Sequence, residues 1–162
     1  MNLLVLNLCL ALVWVLLTGT LTLLNLIIGF GIGYFVLLML RNVFPRARYF
    51  RTVPYLIEFL LYFAWELLLA NLRVAIDVLT PRHRMHPRVL ALPLDVKTDE
   101  GITLLANLIT LTPGSVSLDV SSDRTVMYLH VMYASDPELV RRTIKEGLER
   151  RVIRLLRGIE RR

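Results

Sequence analysis

The chain has 162 residues, a net charge of +6 from 19 basic against 13 acidic side chains, and a mean hydropathy of +0.59, too apolar on average for an ordinary soluble domain. Its single cysteine, Cys9, excludes an internal disulfide and a cysteine-based metal cluster. The basic residues are 17 Arg and 2 Lys, a balance suited to anionic lipid headgroups or to nucleic acid, and the apolar N-terminus decides for lipid.

From Met1 to Leu40 there is no Asp, Glu, Lys, Arg or His. A helix rising ~1.5 Å per residue crosses hydrocarbon in ~20 residues, so this stretch is too long for one span and about right for two. A hairpin is predicted, with spans over roughly Asn2 to Leu17 and Leu21 to Leu40 and Thr18-Gly19-Thr20 as the turn. In lipid such a span satisfies its backbone only as a helix. Gly29 and Gly33, beside Gly31, flatten one face of the second helix, either for packing inside the hairpin or for a partner helix. A secretory signal peptide is not expected, because the basic n-region is missing and the apolar run is about twice too long.

The segment Arg41 to Arg51 holds Arg41, Arg46, Arg48 and Arg51 and no acid, which marks the cytoplasmic side. Next, Pro54 to Leu79 is apolar enough for a third span, but its polar residues are ordered. Glu58, Tyr62, Glu66, Arg73 and Asp77 fall within ~100° of one another on a helix, and only Asn71 lies off that stripe. An amphipathic helix lying in the membrane interface is predicted, since a third crossing would put Arg82, Arg84, Arg88 and the basic tail outside. The stripe carries three acids to one Arg, the wrong sign for a free helix on anionic lipid, so a protein partner is implied. Glu58 and Glu66 are candidates for an ion path or for pairing with each other or with a neighbouring protein. Pro81 ends the helix and opens a polar linker to Pro87; His83 and His86 within it lack a third metal ligand of matching spacing, and no metal or cofactor is expected.

The periodicity then switches to two. Leu90, Leu92, Leu94 and Val96 predict a strand over Arg88 to Lys97, with Pro93 pointing to a sheet edge. Asp99 is the expected N-cap of a helix bearing Ile102, Leu105, Leu108 and Ile109, which Pro113-Gly114 closes. Val116, Leu118 and Val120 form a second strand, Ser121 to Arg124 turn, and Val126 to Tyr133 form a third, antiparallel to it. Asp136-Pro137 starts a long basic helix whose stripe Ile144, Leu148, Val152, Leu155 and Ile159 covers the sheet. Its basic residues suit anionic lipid. Ser115, Ser117, Asp119 and His130 are the nearest approach to a hydrolase triad. There is no Gly-x-Ser-x-Gly elbow, and Ser117 and Asp119 sit two apart on one strand face, so no enzyme is expected. The fold class is therefore an α+β membrane protein in three regions: 1–40, a transmembrane helical hairpin; 41–87, arginine loop, interfacial amphipathic helix and linker; 88–162, a small β-α-β-β-α cytoplasmic domain.

The run Leu105-Ala106-Asn107-Leu108-Ile109-Thr110-Leu111-Thr112-Pro113-Gly114, followed by Leu118-Asp119-Val120 and Tyr128-Leu129-His130, resembles the E-type subunit of the Mrp-type (Mnh, Pha) multisubunit sodium/proton antiporters. The resemblance covers the whole chain, including the helix around Trp65 and the basic stretch at Glu149-Arg150-Arg151. Its motif residues are Asn107, Thr110, Thr112, Pro113, Gly114, Asp119 and His130. It implies a bacterial plasma-membrane complex that exchanges cytoplasmic cations for external protons, and an accessory, non-catalytic role for this chain among the other subunits. From the residues alone, a membrane-tethered scaffold independent of ion transport stays open, and no nucleic acid is expected as a partner.

Overall fold

The structure is a computed structural model and describes residues 3–42, 49–80 and 85–160, the side chains of 42, 51 and 158–160 excepted. It divides into two compact units, Met1–Pro54 and Tyr55–Arg162. Most of the arginine loop and the linker residues 81–84, with His83, lie outside the described residues.

The first unit contains α1 (Leu3–Thr18), α2 (Leu23–Met39), a 3-10 turn at Leu40–Asn42 and the start of α3 (Tyr49–Leu79). The reversal falls at the predicted turn. Gly19 takes a φ of +66°, and Thr22 caps α2 by accepting the Asn25 N–H at 3.2 Å. The glycines of α2 set how closely α1 approaches. A Cβ on Gly29 would meet the Ala11 carbonyl oxygen at 2.9 Å and the Trp14 side chain at 3.0 Å, and a Cβ on Gly33 would land on the Asn7 amide. They serve packing inside the hairpin. Asn7 is fully buried and donates to the Phe30 carbonyl oxygen at 3.2 Å and to the Tyr49 hydroxyl. The rings of Tyr34, Tyr49 and Phe50 gather beside it, with centroids 5.7 to 6.1 Å apart.

α3 starts five residues before its predicted beginning, so Pro54 sits inside the helix instead of at its N-terminus. So near the start, the proline removes one backbone bond and the helix continues through it. Among the described helices α3 is the one long and apolar enough to cross a membrane, over Thr52–Leu79; α1 and α2 have 16 and 17 residues.

The second unit continues with β1 (Arg88–Pro93), α4 (Asp99–Leu111), β2 (Ser115–Val120) and β3 (Val126–Val131). The sheet is antiparallel in the order β1-β3-β2, which puts Pro93 on an edge strand as predicted. Leu90 pairs with Leu129 and Leu92 with Met127, and these residues, with Leu94 and Val96, form one buried face against Ile102, Leu105 and Ile109 of α4. Burial of each such side chain stabilises the fold by about 1.5–3 kcal/mol. The N-cap of α4 is Thr98, whose Oγ1 accepts the Gly101 N–H at 3.2 Å. Asp99, the expected cap, instead occupies the first turn and pairs with Arg124 at 2.5 Å.

Two irregularities escape the alternation rules. In β2, Ser117 pairs with Leu129 but Asp119 pairs with Tyr128, so Leu118 is bulged. The extra residue turns Ser117 and Asp119 to opposite faces of the sheet, correcting the expectation that they share one. The final helix breaks into α5 (Pro137–Ile144), a π-turn at Lys145–Glu149 and α6 (Arg150–Glu160). Leu148 packs into the main core, whereas Val152 and Leu155 join Phe59 of α3 and Leu108 of α4 in a second cluster. The π-turn also buries Gly147 and Glu149. The Ile159 side chain lies outside those described.

Candidate functional site

The polar stripe of α3 faces the α+β part of its own chain. Glu58 lies 3.3 Å from Arg154 Nη1 and 3.8 Å from Arg151 Nε. The Arg151 guanidinium stacks 3.6 Å from the centroid of Tyr62, and Arg154 lies 5.8 Å from that of Tyr55. This close approach depends on glycine at 147, because a Cβ there would land on the Tyr62 hydroxyl. Further along, Arg73 stands 5.5 Å from the centroid of Tyr133, and Asp77 is only 2% exposed. Asn71, off the stripe in sequence, is exposed and donates to the Leu67 carbonyl oxygen at 2.7 Å. The partner implied by the acids of the stripe is thus supplied, at Glu58, by arginines of α6. Leu61, Trp65, Leu68, Leu72, Ile76 and Val78 leave an exposed apolar face on the same helix.

Glu66 and Arg73 make no ion pair with each other, yet both line one cavity of about 340 Å³. Tyr62 and Tyr133 are on its wall, as are Thr112, Pro113, Gly114 and Ser115 from the α4–β2 turn, and Leu139 to Leu148 contribute its apolar side. Gly114 has a φ of +88°, and a Cβ there would meet the Tyr133 ring at 3.0 Å. Glycine is needed at that point both for the turn and to seat the ring. Burial raises the Tyr133 phenol above its ordinary value and the nearby Asp77 carboxylate adds to this, while Arg73 opposes it. Neither the Tyr133 hydroxyl nor Asp77 Oδ2 completes a hydrogen bond.

The other singled-out residues have structural work. Thr112 Oγ1 donates to the Leu108 carbonyl oxygen at 2.9 Å, ending α4, and Thr110 Oγ1 lies 2.9 Å from Ser117 Oγ. Ser115 Oγ donates to the Ile109 carbonyl oxygen at 2.8 Å. Asp119 accepts its neighbour's N–H, from Val120, at 2.8 Å, Asn107 is exposed on α4, and His130 is half-buried opposite Val116. No hydrogen bond joins His130 to Ser115, Ser117 or Asp119 among the described residues, so the serine, histidine and aspartate are not brought together. His86 bridges to Tyr133 through its backbone, its N–H donating to the Met132 carbonyl oxygen at 2.8 Å.

Sequence reasoning passed over Glu149. It is 1% exposed, and its Oε1 accepts the N–H groups of Asp95 at 2.6 Å and Val96 at 3.1 Å, with Lys145 Nζ 3.6 Å from Oε2. It ties the chain after β1 to the π-turn on which α3 rests. Within a basic helix it reads as one more solvent-facing charge, because the helical period gives no warning of a π-turn.

A family model described as Na+/H+ ion antiporter subunit matches residues 7–155. The chain belongs to this family. It is 36% identical over 148 residues to a Na(+)/H(+) antiporter E-type subunit of Alkalihalophilus pseudofirmus, covering 91% of this chain and 94% of that one. The corresponding E1-type antiporter subunit of Staphylococcus haemolyticus is 38% identical over 146 residues, covering 90% and 92%. Among solved structures, a chain of the Mrp complex from a Dietzia species aligns with TM-score 0.47 and 26% identity, over 65% of this chain and 96% of that one. A chain of an archaeal membrane-bound sulfane sulfur reductase aligns with TM-score 0.47 and 27% identity, over 86% and 97%.

Proposed function

We propose that the chain is an accessory, non-catalytic subunit of a multisubunit Na+/H+ antiporter in the bacterial plasma membrane, needed for assembly or activity of the complex. In this reading α1 and α2 form the transmembrane hairpin, α3 lies in the interface, and the α+β domain is cytoplasmic. The observation that carries it is the division of α3 into two faces. Glu58 pairs with α6, Asp77 is buried, and Arg73 lies over Tyr133, while Leu61, Trp65, Leu68, Leu72 and Ile76 are open. A helix covered by protein along one side from Glu58 to Asp77 suits a seat on the bilayer, with the apolar side down, better than a crossing.

An ion path needs polar ligands across ~30 Å of hydrocarbon, and the sequence of α1 and α2 contains no Asp, Glu, Lys, Arg or His for it. Transport is therefore assigned to the other subunits. The Arg151 and Arg154 side chains are engaged with Glu58, which leaves Arg150 and Arg157 of α6 exposed for anionic headgroups.

Two measurements test the reading. The chain alone in liposomes is expected to move no protons in response to sodium, whereas deleting it from its operon lowers antiport and sodium tolerance sharply. Full antiport by the single chain, or unchanged tolerance on deletion, refutes it. A single cysteine at His86 in a Cys9→Ser background is expected to react only from the cytoplasmic side; external labelling overturns the interfacial placement of α3.

A further inference from the structure

We propose that the sheet face turned away from the helices is a docking surface for one amphipathic helix of a neighbouring subunit, a helix with a basic residue at its rim. The inference rests on the reading of the chain as a subunit seated on the bilayer by α3. An antiparallel sheet with one face in water reads apolar inward and polar outward. This one does not. Leu90, Leu92, Met127 and Leu129 are buried in the core with α4, yet the register puts Val89, Ala91 and Pro93 of β1 on the other face, opposite His130, Tyr128 and Val126 of β3. On β2, Val116 pairs with His130, and the bulge brings Asp119 beside Tyr128. The face is open: Val89, Tyr128 and the bulged Leu118 are 61%, 41% and 54% exposed.

Direction and charge both argue against lipid as the cover. Residues of α4 and Leu148 cover the inner face, and Tyr62 and Phe63 of α3 pack on that same side. With the apolar side of α3 on the bilayer, the helices stand between membrane and sheet, and the open face looks into the cytosol. Among the described residues, none that the register places on it is Lys or Arg, in a chain with 19 of them, so it has no attraction for an anionic surface. Its formal charge is Asp119, which calls for a basic residue on the partner. A second copy turned face to face would bring another Asp119 and no base.

Size selects a helix. Three strands ~4.8 Å apart, each of six residues at ~3.3 Å, give a surface of roughly 14 by 20 Å. It holds one helix ~10 Å across and about 13 residues long, which would complete a helical layer on each side of the sheet. At one end a cavity of about 520 Å³ is lined by Met85, Pro87, Val116, His130 and Met132, with room for a large apolar side chain as anchor. The two methionines can repack around it.

The test uses the whole antiporter complex carrying a benzophenone amino acid in place of Val89, Leu118 or Tyr128 in turn. Irradiation is expected to join these positions to a cytoplasmic segment of another subunit, at residues three or four apart. Val89→Asp should lower recovery of the complex about tenfold, because it buries a carboxylate at the contact, whereas Val89→Ile should retain it. Position 89 is exposed, so the full chain carrying Val89→Asp should melt at the native midpoint. If it melts lower, Asp119→Arg decides, and it should lower recovery by setting like charges together. Cross-links to lipid, to a second copy of the chain, to a segment without helical spacing, or to nothing at all three positions overturn the proposal, as does native recovery with Val89→Asp and Asp119→Arg. Those failures leave the accessory reading standing, whereas unchanged sodium tolerance on deletion of the chain refutes that reading instead.

Discussion

In the first unit, helices without one charged side chain meet where glycine lets backbone approach backbone, and Asn7, the one buried polar residue there among the described residues, is held by Phe30 and Tyr49. In the second unit, a less apolar helix, with charges along one stripe, meets its neighbours through Glu58, Arg151, Arg154, Tyr62 and Tyr133. Where lipid is the surroundings on all sides, close packing replaces the hydrophobic drive. Where water reaches one side, charges and aromatic rings can hold a helix in place and leave its other side apolar. On the proposed placement, this difference separates the helices in the bilayer from the helix upon it.

The largest expected effect comes from removing the carboxylate that fixes the docking surface of α3. Glu149→Ala leaves the Asp95 and Val96 N–H groups without their acceptor and removes one carboxylate from Lys145, and should cost about 3–5 kcal/mol. Thermal melting of the full chain in detergent checks this, and an unchanged midpoint would mean that the π-turn stands without Glu149. On the other side of the comparison, Gly33→Val forces a side chain onto Asn7 and should cost roughly 1–3 kcal/mol. The expected readout is a wider separation of paired spin labels on α1 and α2; an unaltered distance would show that glycine does not limit the hairpin.

A smaller effect, roughly 1–2 kcal/mol, is expected for Gly147→Ala, whose new methyl would occupy the place of the Tyr62 hydroxyl. Removing that hydroxyl should restore much of the loss, so the double variant Gly147→Ala with Tyr62→Phe ought to melt above the single one. Additive losses would place the strain elsewhere. The smallest effect concerns alkaline pH. The Tyr133 phenol is raised in the folded chain, so the folded state holds its proton more tightly, and the stability this contributes is complete below the ordinary tyrosine value of 10.0 and lost as pH rises through the folded value. Melting temperature measured from pH 9 upward should fall less steeply for Tyr133→Phe than for the native chain.

The elements were readable from the chain because their signals are local. Thr18-Gly19-Thr20 marked the reversal, Leu90 and Leu92 the first strand, which ends at Pro93 instead of the expected Lys97, and Asp136-Pro137 the start of α5, capped as predicted by Asp136 on the N–H groups of Glu138 and Leu139. The face of α3 that meets other protein was legible too, from the angular order of Glu58, Tyr62, Glu66, Arg73 and Asp77. What sequence concealed were departures from period. The bulge at Leu118 reverses the face of Asp119, and the π-turn carries Glu149 inward, yet a single inserted residue in either place leaves composition and spacing unaltered. The identity of the partner of the stripe was hidden for another reason. Glu58 and Arg154 are 96 positions apart, and no local pattern links them.

The edges of the small sheet bear on how any protein can bind it. Arg141 donates to the Ala91 carbonyl oxygen at 2.8 Å and Lys145 to the Pro93 carbonyl oxygen at 2.9 Å, which occupies acceptors along the outer side of β1. On β2 the Ser117 N–H is taken by Thr110 Oγ1 at 3.2 Å, and the bulge at Leu118 breaks the repeat that an added strand would follow. Recognition by strand addition, which needs a row of free main-chain groups, is thereby closed at both ends of the sheet. Neighbouring proteins must engage the domain through side chains, and copies of the chain crowded on a membrane are kept from joining sheet to sheet.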